Sequence, residues 1–164
     1  MNYWILPDTH FGHNKMKEEE YGGRPEGFEA KILKNISNSF NQDDVLIHLG
    51  DFCFYAEEFW HASFMRVVNG HRWLIRGNHD KKSTTWYLNN GWCFVADEIK
   101  LKIYGKVIVF SHRPIQDRDI FDINFHGHFH NTNHHPEEAV NEKHRCLFLE
   151  HDYKPFNLKT LVVG

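Results

Sequence analysis

The chain has 164 residues, 41% hydrophobic and 15% aromatic, which suits one soluble globular domain over 1–164 burying ~70% of its unfolded surface. Its 19 basic and 22 acidic residues leave a net charge of -3 with no basic stripe, which argues against stable duplex DNA binding and against an anionic membrane surface. Three scattered cysteines with no C-x-x-C argue against a disulfide framework and a thiolate zinc site, and MNYWILPDTH is no basic or long apolar leader, so a reducing cytoplasm is the expected compartment.

Asn2 to Leu6 is a short apolar run ending at Pro7 and predicts a buried first strand, after which Asp8 opens a loop. From Glu26 to Phe40, the residues Phe28, Ile32, Leu33, Ile36 and Phe40 recur at helical spacing and predict an amphipathic helix on a sheet. Asp43 to Asp51 reads as a turn and a buried strand stopping at Gly50, and a second helix is expected over Ala56 to Val67. His71 to Asp80 is another short strand, ending in Gly77 and a polar cluster. Beyond Trp92 the runs WCFVA, IKLKIYG, KVIVFSH, INFHGH, RCLFLEH and LKTLVV each read as strands, together as an antiparallel meander. The polar stretch 131–143 reads as a surface loop, and two packed sheets with helices outside are the predicted architecture.

Residues able to hold a metal fall at the ends of these strands. Asp8 and His10 follow the first, Asp51 the second, and Asn78 and His79 the third; His112 ends KVIVFSH, and His128 and His130 follow the run INFH. Ligands of open α/β sheets collect beyond the carboxyl ends of strands, so seven donors from five ends can converge on one place. In D-x-H and H-x-H the residues i and i+2 share one side of an extended backbone, which would aim each pair at one site. Gly50, Gly77 and Gly127 each precede a candidate ligand and are expected to allow sharp turns and close approach of phosphate.

The ordered set DTH at 8–10, GD at 50–51, GNHD at 77–80, His112 and GHFH at 127–130 resembles the calcineurin-like metallophosphoesterase superfamily, across nearly the whole chain. DTHFGH and LGDF further resemble a group of compact bacterial and phage phosphoesterases. The resemblance implies a four-layer α/β/β/α sandwich of two mixed sheets flanked by helices, with two divalent metal ions. One would be held by Asp8, His10, Asp51 and His130, and the other by Asp51, Asn78, His112 and His128, so that Asp51 bridges them. His79 would stand beside the leaving group.

The implied reaction is hydrolysis of a small or exposed phosphodiester of nucleotide type, by hydroxide held between two metals, with His79 as general acid and Asp80 orienting it. A proton donor in that position is worth about 10²- to 10⁴-fold in rate. The donor set, imidazole and carboxylate without thiolate, suits Mn, Zn, Fe or Ni. His13 is expected at the mouth as a substrate contact, with Asn78 and Arg113 on phosphate. Arg24 is a second phosphate candidate, though more simply a solvated surface arginine. His48 and His126 read as groups packed behind the ligands, and His134 and His135 as solvated loop residues. A metal-dependent nuclease, a phosphomonoesterase and a non-catalytic binding module on the same fold remain alternatives.

Overall fold

The computed structural model describes residues 1–116, 120–130 and 140–164. Four parallel strands, β1 (Tyr3–Leu6), β2 (Val45–His48), β3 (His71–Ile75) and β4 (Phe94–Ala96), form most of a five-stranded sheet. β9 (Phe156–Asn157) closes it antiparallel to β1, giving the order β4-β3-β2-β1-β9. The second sheet has the order β5-β6-β7-β8: β5 (Glu98–Ile103), β6 (Lys106–Ser111), β7 (Ile123–His126) and β8 (His144–Cys146). Both sheets are mixed, and with helices α1 (Phe28–Ser39), α2 (Glu57–Val67), α3 (Thr84–Asn89) and α4 (Leu158–Val163) they make an α/β sandwich of sheets flanked by helices.

Alternation along the strands divides the core in two. Leu6, Leu46 and Leu74 face one side of the first sheet, where Phe28, Ile32 and Ile36 of α1 and Phe64 of α2 cover them. Their neighbours Ile5, Ile47 and Ile75 face the other side and meet Ile108, Phe110 and Phe125 of the second sheet. A strand with both faces buried leaves only its ends for polar chemistry, so the functional groups crowd beyond the carboxyl edges.

Four expectations from the second half of the chain need correcting. The meander is antiparallel only between β5 and β6; β6 with β7 and β7 with β8 run parallel. WCFVA supplies β4 to the first sheet, parallel to β3. RCLFLEH contributes strand only to Cys146 and then turns through a 3-10 segment, Leu149–His151. LKTLVV is helix α4: the Asn157 side chain accepts from the Lys159 and Thr160 N–H groups, and that cap starts a helix in an apolar run whose short length leaves period 2 and period 3.6 indistinguishable. α3 continues the strand, polar loop, helix order of the first half, and its start is marked by Ser83, whose side chain accepts from the Trp86 N–H.

His134, His135 and most of the expected 131–143 loop lie outside the described residues. Among the described residues no helix is long and apolar enough to cross a membrane.

Candidate metal centre

The loops leaving β1, β2, β3, β6 and β7 meet at one edge and bring together two groups of metal-capable side chains. Ligand atoms of Asp8, His10 and His130 lie within 4.8 Å of one another, and so do those of Asp51, His112 and His128. Asp51 Oδ2 stands between the groups, 3.6 Å from His10 Nε2 and 3.4 Å from His112 Nε2.

The backbone carrying these residues is not extended. Asp8, His10, Asp51, His128 and His130 all have positive φ, between 38° and 70°, a region that costs a non-glycine residue about 1–3 kcal/mol. The i, i+2 argument for D-x-H and H-x-H is therefore wrong in its geometry. Asp8 and His10 do reach one group, but through left-handed turns, while His128 and His130 go to different groups.

Two oxygen acceptors and a second imidazole nitrogen gather round one nitrogen of His112. Its Nε2 is 2.9 Å from Asn78 Oδ1, 3.1 Å from His128 Nδ1 and 3.4 Å from Asp51 Oδ2. Its Nδ1 is 2.9 Å from the Leu49 carbonyl, which can only accept, so the proton on Nδ1 is assigned and Nε2 faces the acceptors. One proton on that nitrogen cannot serve both oxygens, whereas a cation coordinated by all four groups would.

The other group is held from behind by residues that sequence reasoning misplaced or missed. Arg24 is buried, not a solvated surface residue. Its Nη1 and Nη2 donate to the carbonyls of Thr9 and Asp8, and its Nε and Nη2 reach Glu150 Oε1 at 2.8 and 2.7 Å. The same oxygen lies 3.2 Å from His130 Nδ1 and leaves Nε2 of that ring for a ligand. Glu150 had no signal in the sequence beyond being one acid in an apolar run.

His48 braces both aspartate loops. The Gly50 N–H donates to its Nδ1, so its Nε2–H donates to Thr9 Oγ1, which donates onward to the Phe52 carbonyl. Asp80 takes the N–H groups of Asp51 and Gly77 on Oδ2 and that of Phe52 on Oδ1. Both its oxygens accept from backbone, so Asp80 shapes the turn around Asp51.

Two glycines act differently from expectation. A Cβ on Gly127 would overlap the Asp8 carboxylate, and one on Gly77 would overlap that of Asp51. The missing side chains make room for the carboxylates of neighbouring loops.

Charge is balanced poorly without a cation. Burial, with the Asp51 charge adding, raises the Asp8 carboxyl to about 6, against the pull of His130 and His112. Burial also works against a charged His112, yet its bond to Asp51 and the charges of Asp51 and Asp8 lift it to about 9. Asp51 is held well below the usual carboxylate range, despite burial, by His112 and His10. Burial drives His10 far down, and neither of its ring nitrogens, nor Asp8 Oδ1, has a hydrogen-bond partner. Buried polar atoms left this way are rare unless an ion or water completes them. No cysteine belongs to either group. The residues therefore fit two divalent ions of the kind that imidazole and carboxylate bind.

A pocket of about 420 Å³ opens over these groups, and His13 and His79 line it. The His79 N–H donates to Asp51 Oδ1 at 2.8 Å, while its imidazole, 39% exposed, reaches into the opening with Nε2 3.9 Å from Asp51 Oδ2. Arg113 lines a separate hollow of about 400 Å³ beside Asn78 and His112, on the other side of the second group.

No family model matches the chain. It is 26% identical over 173 residues to uncharacterized protein MJ1445 of Methanocaldococcus jannaschii, covering 97% of this chain and 88% of that one. Among solved structures it is similar to AQ665 of Aquifex aeolicus, a protein of unknown function, with TM-score 0.77, 24% identity and 98% and 97% of the two chains covered. It is also similar to a novel archaeal phosphodiesterase, with TM-score 0.54, 18% identity and 90% and 82% covered. Identities this low show a shared fold, and that fold includes a phosphodiesterase.

Proposed function

We propose that the protein is a metal-dependent phosphoric ester hydrolase, and that its substrate is a small or exposed phosphodiester. The observation that carries this reading is Asp51 Oδ2, placed between two groups of buried nitrogen and oxygen donors under one open pocket. Asp8, His10 and His130 would hold one ion and Asn78, His112 and His128 the other, with Asp51 shared. When bound, two such ions stabilise both the entering and departing oxygens of an in-line displacement and lower the pKa of water toward about 7.

The remaining work belongs to the side chains. Leu49 and Glu150 fix the imidazoles of His112 and His130, so little reorganisation accompanies reaction. His79, tethered to Asp51 through its backbone, carries an imidazole at the pocket mouth that can give a proton to the departing ester oxygen. A diester is favoured over a phosphoprotein because the run after Asp51 is Phe52, Cys53 and Phe54, with no arginine to grip a dianionic monoester.

The reading is tested by stripping the protein, refilling it with Mn, and assaying an aryl phosphodiester, an aryl monoester, cyclic nucleotides and single-stranded DNA. Diester hydrolysis that needs metal and is lost in Asp51→Asn is expected. Two bound metals with no turnover of any substrate would leave a non-catalytic binding module as the better account. Preferred cleavage of DNA would favour a nuclease. His79→Ala should cost about 10²- to 10⁴-fold on esters with poor leaving groups and less on activated aryl esters.

A further inference from the structure

One wall of the pocket is aromatic, and its Phe54 belongs neither to the buried core nor to the metal-capable groups. In the run after Asp51, Phe52 is wholly buried against Phe11 and Phe64, whereas Phe54 is only half-buried and lines the pocket. Its ring lies parallel to that of His13, with centroids 4.0 Å apart and planes 8° from one another. On its other contacts it meets the rings of His79 at 4.8 Å and of Tyr55 at 5.2 Å, so its orientation is set before any ligand arrives. Tyr21 and Met16 extend this wall, and Lys15 brings a cation to the pocket with its Nζ 5.7 Å from the Tyr21 ring centroid.

Rings held this way favour a flat unsaturated partner over an alkyl chain, because stacking adds to apolar contact and the rings lose no freedom on binding. Phe54 touches His79, so a ring seated against Phe54 adjoins the oxygen to which His79 would pass a proton. Lys15 supplies positive charge for a phosphodiester, which carries one negative charge. A pocket of about 420 Å³ is within the range that holds a single small ligand.

Resting on the phosphoesterase reading, we propose that the substrate is a nucleotide-type phosphodiester whose base is held by His13, Phe54 and Tyr21, with Lys15 beside its phosphate. The base is recognised through its face, so the site tolerates different bases.

The test compares adenosine 5′-monophosphate with ribose 5-phosphate on Mn-loaded protein, by calorimetry. The two ligands share sugar and phosphate and differ at C1′, which carries a base in one and a hydroxyl in the other. The nucleotide is expected to bind about tenfold more tightly, in keeping with one base on one aromatic platform. In Phe54→Leu, which keeps apolar volume and loses the flat face, and in Tyr21→Ala, that ratio should fall toward one. Uridine 5′-monophosphate should behave like the adenine nucleotide. Equal affinity for nucleotide and sugar phosphate in the parent, or a ratio untouched by both variants, overturns the proposal. Hydrolysis of the aryl diester is measured on the same preparations: turnover without base preference removes only the base site, whereas base preference without turnover of any ester removes the hydrolase reading.

Discussion

Arg24 and Glu150, 126 positions apart in sequence, form a buried ion pair behind His130. The guanidinium is anchored to the carbonyls of Asp8 and Thr9, so a single side chain links the first strand's loop to the acid that orients His130. Glu150 is held down at about 2, in spite of its burial, by the His130 bond and the Arg24 charge.

Breaking that pair leaves an uncompensated buried charge. Arg24→Met should destabilise the fold by about 3–5 kcal/mol, read as a drop in the denaturation midpoint at constant slope. Glu150→Gln keeps the volume but loses the charge, and should cost about 10- to 100-fold in affinity for one of two metals, read by calorimetry. An unchanged two-site titration in Glu150→Gln would show that His130 needs no such partner.

Metal affinity should climb with pH from 6 to 9. A cation competes with protons at Asp8, raised to about 6, and at His112, raised to about 9, and binding releases them. The number of protons released per metal, measured by calorimetry in buffers of different ionisation enthalpy, should therefore exceed zero at pH 8. Binding insensitive to pH across that window would refute the charge assignment.

Acid should weaken the fold through two buried histidines. Burial lowers His48 to about 3 and His61 to about 4, from the 6.5 an unfolded chain would show. Below about 6.5 the unfolded state binds protons that the native state refuses, so stability is present above that pH and is lost on descending to about 4 for His61 and about 3 for His48. His61→Gln can still accept from Trp92 Nε1 and should flatten the stability profile between pH 6.5 and 4 by one proton's worth of slope.

Gly127→Ala is a small change that should disable the centre. The added methyl overlaps the Asp8 carboxylate and must displace either that group or the loop leading to His128. Loss of at least one metal from the stoichiometry, with far-UV circular dichroism retained, is the expected outcome. Two metals bound at parental affinity would show that the loop gives way cheaply.

The parallel strands of the first half and helices α1 and α2 were legible from the chain because hydrophobic period depends on local spacing alone. The candidate ligands were legible for a related reason: Asp8, His10, Asp51, Asn78, His112, His128 and His130 each follow or end an apolar run, and chemistry at strand ends is a local pattern. What that pattern could not supply was any relation between runs. Strand direction in the second sheet, the helix at Leu158–Val163 and the burial of Arg24 depend on partners distant in sequence. Glu150 is the clearest case, since its role comes entirely from lying against Arg24 and His130. Sequence by itself determined which residue types stood ready for a metal; only the tertiary structure decided which sat together, because distances between loops are set by sheet order and packing and not by spacing along the chain.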